Sequence, residues 1–234
     1  MPTLYLLPVP LTDQPQALQT LPPYVAAQAA TLRTFAVENI KTARRTLRSL
    51  GFTHTFDEVT FFELSEHTQH NLLAIQQWLQ QVAPQNVGLL SEAGCPGIAD
   101  PGATLVAQAH QLGWQVAPLV GPSSLFLALM ASGLNGQQFG FAGYLPIARN
   151  ERLRALRHEA DLAQKQTRLF IETPYRNVAL LNDLLQCLPP HLRLCIATDI
   201  TAPSEYICTR TIQQWQQTPL PDLHKRPTVF LIGR

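Results

Sequence analysis

Short apolar runs and helical stripes alternate along the first half of the chain. Runs rich in β-branched and aromatic residues predict strands at residues 3–7, 32–37, 87–91 and 114–120. Between them Val37, Ile40, Ala43, Leu47 and Leu50 recur at helical spacing, so residues 40–50 predict a helix that stops at Gly51. Leu72, Ile75, Leu79 and Val82 form a second stripe ahead of Pro84, residues 103–112 a third helix closed by Gly113, and residues 24–30 a shorter helix-like piece. After Val120 the order changes. A short apolar helix reaching Ser132 precedes a strand at 138–144, a charged helix at 151–164, a strand at 168–172 and a leucine-rich helix at 177–188. Three β-rich runs follow at 192–198, 205–211 and 228–232, the first two joined only by a loop. Helix-linked strands followed by consecutive strands imply an α/β protein with a parallel N-terminal sheet and a mixed C-terminal one, each with helices. The boundary is expected near Val120, dividing the chain into domains 1–120 and 121–234.

The composition fits that size of core. The chain has 234 residues, 46% hydrophobic and 14% charged, enough for one large domain or two small ones sharing an interface. Its formal net charge of +1 sets up no global field for a polyanion, so any nucleic-acid contact must come from a local patch. Pro8 and Pro10 break the first apolar stretch and no basic residue precedes it, which argues against a signal peptide. No run of about 18 apolar residues suggests a membrane span. Cys95, Cys187, Cys195 and Cys208 have neither zinc-ligand spacing nor the density of a disulfide scaffold, so a reducing cytoplasm is expected. The seven histidines are scattered without an i, i+4 pair in a plausible metal setting, and no metal is assigned.

In parallel sheets ligands bind beyond the carboxyl ends of the strands, and three unusual segments fall at such ends. They are Glu38-Asn39, the loop Ser91-Glu-Ala-Gly-Cys-Pro-Gly-Ile-Ala-Asp-Pro-Gly102, and Gly121-Pro-Ser-Ser124. The 91–102 loop carries three glycines and two prolines, which permit positive φ at some points and stiffen others. Two readings stand for such a loop alone: a tight surface connection, or a cradle offering backbone groups to a ligand. It is not a G-x-G-x-x-G fingerprint, and the chain has no G-x-x-x-x-G-K-[ST], which disfavours a dinucleotide or nucleoside triphosphate.

Taken in order, that loop, Val120-Gly-Pro-Ser-Ser124 with Ala131-Ser-Gly-Leu134, Phe141-Ala-Gly-Tyr-Leu-Pro146 and Phe170-Ile-Glu-Thr-Pro-Tyr-Arg176 resemble the tetrapyrrole methylase superfamily. Glu38-Asn-Ile-Lys-Thr-Ala-Arg44 is similar to the acidic segment of its ribosomal RNA small subunit methyltransferase I branch, whose members 2′-O-methylate a cytidine. The resemblance covers nearly the whole chain. It implies a two-domain, tetrapyrrole-methylase-like α/β fold, normally a homodimer, that holds S-adenosylmethionine in the cleft between its domains. Gly94, Cys95, Pro96 and Ile98 would line the cofactor site, Ser123 and Ser124 would approach the methionine end or the sulfonium, and Ala142, Tyr144, Leu145 and Pro146 would help enclose the adenosine. Cys95 stands where the superfamily often has Asp and the branch Thr, and it also fits as a small apolar filler. One departure is plain: Pro8-Val-Pro-Leu-Thr-Asp13 lacks the glycine usual after the first strand, which bears on the substrate more than on the fold.

A ribose hydroxyl is a weak nucleophile, so transfer to it calls for a base or strong polarisation. Of Glu38, Glu92, Asp100 and Glu172, Glu38 is the first choice, at a strand end beside Lys41; a stabilising charge ahead of a helix explains it too. Lys41, Arg44, Arg45 and Arg48 form one basic cluster, with Lys41, Arg45 and Arg48 on one helix side, and Arg149, Arg152, Arg154 and Arg157 form a second. RNA phosphates suit such patches, as does a solvated helix face. Tyr175 and Arg176 either meet a substrate nucleotide or hold the structure together. The function expected is S-adenosylmethionine-dependent 2′-O-methylation of small-subunit ribosomal RNA, with that RNA or the small subunit as partner. The alternatives are methylation of a small molecule such as a tetrapyrrole precursor, or cofactor binding without turnover.

Overall fold

The computed structural model describes residues 1–65 and 68–234, in two compact units, Met1–Ser123 and Ser124–Arg234. In the first, strands β1 (Thr3–Leu6), β2 (Thr34–Val37), β3 (Thr60–Glu63), β4 (Val87–Leu90) and β5 (Gln115–Pro118) pair in parallel in the order β3-β2-β4-β1-β5. Helices α1 (Pro23–Ala30), α2 (Ile40–Ser49), α3 (Leu72–Val82) and α4 (Ala103–Gln111) connect them. Every residue of β2 and β4 is buried, as expected where helices cover both faces of a parallel sheet. One face packs Leu4 and Leu89 with Ile75, Leu79 and Leu105, and the other packs Leu7 and Phe35 with Leu47 and Phe52. The start of α2 is set by Asn39, whose side chain accepts from the Thr42 N–H at 3.1 Å.

The periodicity leaves β3 unpredicted. It is a four-residue edge strand, Thr-Phe-Phe-Glu, with exposed ends and too little alternation to register. Its two rings point to opposite faces: Phe61 stacks on Phe35 and Phe62 on Trp78.

The second unit has strands β6 (Phe139–Tyr144), β7 (Thr167–Ile171), β8 (Arg193–Thr198), β9 (Tyr206–Thr211) and β10 (Thr228–Gly233), ordered β6-β7-β10-β8-β9. Only β6 and β7 are parallel, so this sheet is mixed, as the sequence implied. Helices α5 (Ser124–Ser132), α6 (Arg149–Leu162), α7 (Asn177–Cys187) and α8 (Ile212–Gln216) complete it. The five-residue α8 is also absent from the sequence reading. A capping box between Thr211 and Gln214 starts it, and Trp215 anchors it by donating from its ring N–H to the Leu194 carbonyl at 2.9 Å.

Candidate active site

Because β1, β2, β4 and β5 are parallel, the segments after them emerge at one edge of the first sheet, and hydrogen bonds lace them together. Val9 and Gly94 exchange backbone bonds of 2.9 and 3.1 Å, joining the segment after β1 to the 91–102 loop. The Cys95 thiol donates to the Pro122 carbonyl at 3.4 Å, joining that loop to the segment after β5. Gly94 has φ +71°, and a Cβ there would stand 3.1 Å from Leu11 Cδ2 and 3.4 Å from the Pro122 oxygen. Gly121 is required for space: a Cβ would overlap the Pro8 ring. The chain without the expected glycine therefore packs directly onto the two loops expected to hold a cofactor.

Within that loop Gly94, Gly97, Ala99 and Gly102 all have positive φ, so the chain turns tightly at four points. Pro96 is buried, Cys95 half-buried, and Ile98 exposed, leaving an apolar side chain at the loop's surface. Burial pushes the Cys95 thiol up, which favours the neutral form that donates to the Pro122 carbonyl. The backbone groups of this loop and the exposed Ile98 side chain fit a ligand such as S-adenosylmethionine, which has both polar and apolar parts. Ser123 ends the first unit beside Pro122.

Three carboxylates meet at the same edge. The Glu92 N–H donates to Glu38 Oε2 at 3.2 Å, and the Thr42 hydroxyl donates to Glu92 Oε1 at 3.1 Å. Burial raises Glu38 above the ordinary carboxylate range, opposed by the Glu92 N–H and reinforced by the Glu92 charge. Asp100 is pushed up to about 6, first by burial and then by the Glu38 charge, with the Ser91 hydroxyl pulling the other way. The sequence marks Asp100 only as one of several carboxylates; its tuning depends on Glu38 lying 62 positions away in the chain.

The structure divides the α2 basic cluster. Arg44 lies over the Phe56 and Phe61 rings at 5.3 and 5.4 Å, and Arg48 over Phe56 at 4.3 Å while donating to the Phe52 carbonyl at 2.5 Å. Lys41, Arg45 and Arg48 are all exposed on α2, but the Arg48 guanidinium is engaged by the Phe56 ring and the Phe52 carbonyl. Lys41 is exposed, and Arg45 pairs with Asp13 at 3.2 Å across solvent-facing side chains. That pair lines a pocket of about 140 Å³ between α2 and the segment after β1.

In the second unit the parallel strands β6 and β7 bring two further groups to a common edge. A register shift between Phe141 and Tyr144 inserts one extra residue there. Ala142 packs against the core, Leu145 is buried, Tyr144 is exposed, and the Pro146 carbonyl accepts from Arg152 at 3.4 Å. Ser124 opens α5. Beyond β7, Tyr175 is 72% exposed with the Lys225 ammonium 5.8 Å from its ring centre. Arg176 is committed to the buried Glu172 at 2.5 Å and to the Thr173 hydroxyl at 3.2 Å, so its guanidinium serves the loop. The second basic cluster is likewise not a uniform patch. Arg152 is buried against Asp183 at 2.7 Å and Arg149 meets the same carboxylate at 2.9 Å, leaving Arg154 and Arg157 exposed. Among the described residues no group of three or more His, Cys, Asp or Glu is arranged to hold a metal ion, and no helix is long and apolar enough to cross a membrane.

The chain is similar to several known proteins. The chain is 31% identical over 219 residues to the ribosomal RNA small subunit methyltransferase I of Synechocystis, covering 91% of this chain and 72% of that protein. It is 32% identical to the Haemophilus influenzae protein of that name, covering 82% and 67%, and 29% identical to the Xylella fastidiosa one, covering 98% and 80%. No family model matches. Among solved structures the fold is similar to diphthine synthase, with a TM-score of 0.66 and 12% identity over 98% of this chain and 89% of that one. It is also similar to uroporphyrin-III C-methyl transferase from Thermus thermophilus complexed with S-adenyl homocysteine, with a TM-score of 0.54 and 15% identity over 100% and 98%.

Proposed function

Since the chain belongs to the ribosomal RNA small subunit methyltransferase I family, we propose that it methylates a ribose 2′-hydroxyl of small-subunit ribosomal RNA, using S-adenosylmethionine. That kinship, at 31% identity over 91% of the chain, carries the reading. The geometry supports it, because a Gly/Pro loop suited to the cofactor and a set of raised carboxylates share one edge of a parallel sheet. A tetrapyrrole acceptor has weaker support: the uroporphyrin methyltransferase shares the fold at 15% identity.

Bound S-adenosylmethionine supplies an already electrophilic methyl group. The protein's own task is then to align the hydroxyl, exclude water and take up its proton. Gly94, Cys95, Pro96, Ile98 and Ser123 hold the cofactor, the first four through the loop backbone and the Ile98 side chain. Glu38 accepts the proton, with Asp100 as a second raised carboxylate beside it. A carboxylate raised toward neutrality is a better base than an ordinary one, which is what burial does to Glu38 and Asp100. Lys41 and Arg45 draw RNA phosphates to this edge, and Tyr175 offers a ring for a base. The protein works as a cytoplasmic homodimer in ribosomal RNA processing.

The test is transfer of labelled methyl groups from S-adenosylmethionine to small ribosomal subunits from cells lacking this protein. Label in a ribose of the small-subunit RNA is expected. Cofactor binding with no transfer to RNA would overturn the reading.

A further inference from the structure

The segment that leaves β5 is held at three consecutive residues, each by a different part of the chain. The Pro122 carbonyl accepts from the Cys95 thiol, Gly121 lies against the Pro8 ring, and the Val120 N–H donates to the Tyr24 hydroxyl oxygen at 2.6 Å. The last of these joins residues 96 positions apart. Along a strand, successive N–H groups point to opposite sides. The Leu119 N–H closes the ladder on the Leu6 carbonyl at 3.0 Å, so the Val120 N–H points away from β1, and β5 is the outermost strand on that side. Tyr24 supplies the acceptor that the sheet does not. It is itself well anchored, as the second residue of α1. Pro22 and Pro23 fix φ just ahead of it, and the buried Val25 and Ala29 root the helix in the core. Leu21, also buried, has its Cδ2 3.5 Å from where a Gly121 Cβ would stand. The entry to α1 therefore grips Val120 and Gly121 together.

We propose that Tyr24 is a positioning residue for the cofactor: its hydroxyl fixes the Leu119–Val120 peptide plane, and with it the course of residues 121–123 along the S-adenosylmethionine site. The proposal rests on the reading of that segment as a border of the site. Pairing with β1 is complete at Leu119, so the sheet does not require the bond. What the bond sets is the direction in which Gly121-Pro-Ser123 departs, because a planar peptide held at its N–H leaves the following residue little freedom to tilt.

Tyr24→Phe deletes the accepting oxygen and keeps the ring. Calorimetric titration of this full-length variant with S-adenosylhomocysteine should show about fivefold weaker binding, the worth of one hydrogen bond. Its melting temperature should stay within roughly 2 °C of the unaltered protein, as for an exposed substitution. A bond that only completes the strand end would lower the melting temperature and leave affinity unchanged, and that result overturns the proposal. Gly121→Ala disturbs the same segment through its other contact. In the double variant the two losses of affinity should therefore combine to less than their product, since both act by displacing one segment. Independent effects would overturn the proposal as well. Ser123→Ala takes the place of Gly121→Ala in this comparison if that variant fails to fold. The two readings fail separately. Affinity untouched by every one of these changes means that residues 120–123 do not border the cofactor, whereas weaker binding from Gly121→Ala or Ser123→Ala alone sinks the role of Tyr24 and spares the segment.

Discussion

The backbone N–H of Glu92 points at the carboxylate of Glu38, 3.2 Å away, and so ties the loop after β4 to the end of β2. The bond steadies the ionised form of Glu38, against the surrounding burial and the charge on the Glu92 side chain, which disfavour it. Asp100 is pushed up to about 6, mainly by burial, with the charges of both carboxylates adding to it. The acid–base character of the edge therefore belongs to the group, and its members are expected to respond to one another's substitution.

Glu38→Gln should lower the methyl transfer rate by about a hundredfold or more, the usual contribution of a positioned base. S-adenosylmethionine affinity should hardly change. Removing the Glu38 charge also removes one cause of the Asp100 shift, so the Asp100 carboxyl should titrate at lower pH in the variant. Steady-state rates across pH, together with carboxyl titration by NMR, check both. An unchanged rate and pH profile would dismiss Glu38 as the base.

Asp100 links the site to stability. Its carboxyl titrates near 6 in the folded chain against an ordinary value of 3.8, so between those pH values the folded state holds more protons than the unfolded. Its contribution to stability is thus lost as pH rises through that interval. Asp100→Asn should remove this slope and be the more stable protein at pH 7, with roughly 2–4 °C of melting temperature for each kcal/mol recovered. Denaturation at pH 4, 5, 6 and 7 measures it.

Gly121→Ala places a methyl on the Pro8 ring and should destabilise the protein by roughly 1–3 kcal/mol, the cost of overpacking. Because Pro8 and Gly121 belong to the segments that flank Gly94, cofactor affinity should fall as well. Urea denaturation and calorimetric titration with S-adenosylhomocysteine report the two effects.

Asp183→Ala leaves the buried Arg152 guanidinium without its carboxylate, and a loss of about 3–5 kcal/mol is expected. Arg154→Ala, on the exposed side of the same helix, should stay within about 0.5 kcal/mol. Comparable losses from the two would contradict the division of this cluster into buried pair and solvated face.

On α2, Lys41→Ala and Arg45→Ala should each flatten the salt dependence of RNA binding by about one unit of log–log slope. Arg48→Ala should instead cost about 0.5–1 kcal/mol of stability, the worth of its contact with Phe56. Filter binding at several salt concentrations and thermal denaturation separate these outcomes.

Much of this was legible in one dimension. The stripe Ile40, Ala43, Leu47 on α2, the continuous apolar runs of β2 and β4, and the close succession of β8 and β9 are local patterns, and local patterns suffice for element type and sheet class. The position of Glu38, Gly94 and Gly121 beyond strand ends follows from strand order in the chain. Some elements escaped because they are too short to repeat, among them β3, with one phenylalanine on each face, and α8, held by Trp215 and a capping box. The sequence alone also does not say which charges are free. Arg152 and Arg154 are two positions apart on one helix, yet one is buried against Asp183 and the other faces water. Arg45 and Arg48 diverge to Asp13 and Phe56. Those outcomes, like the pKa of Asp100, depend on burial and on partners remote in the chain, and both exist only once the chain has folded.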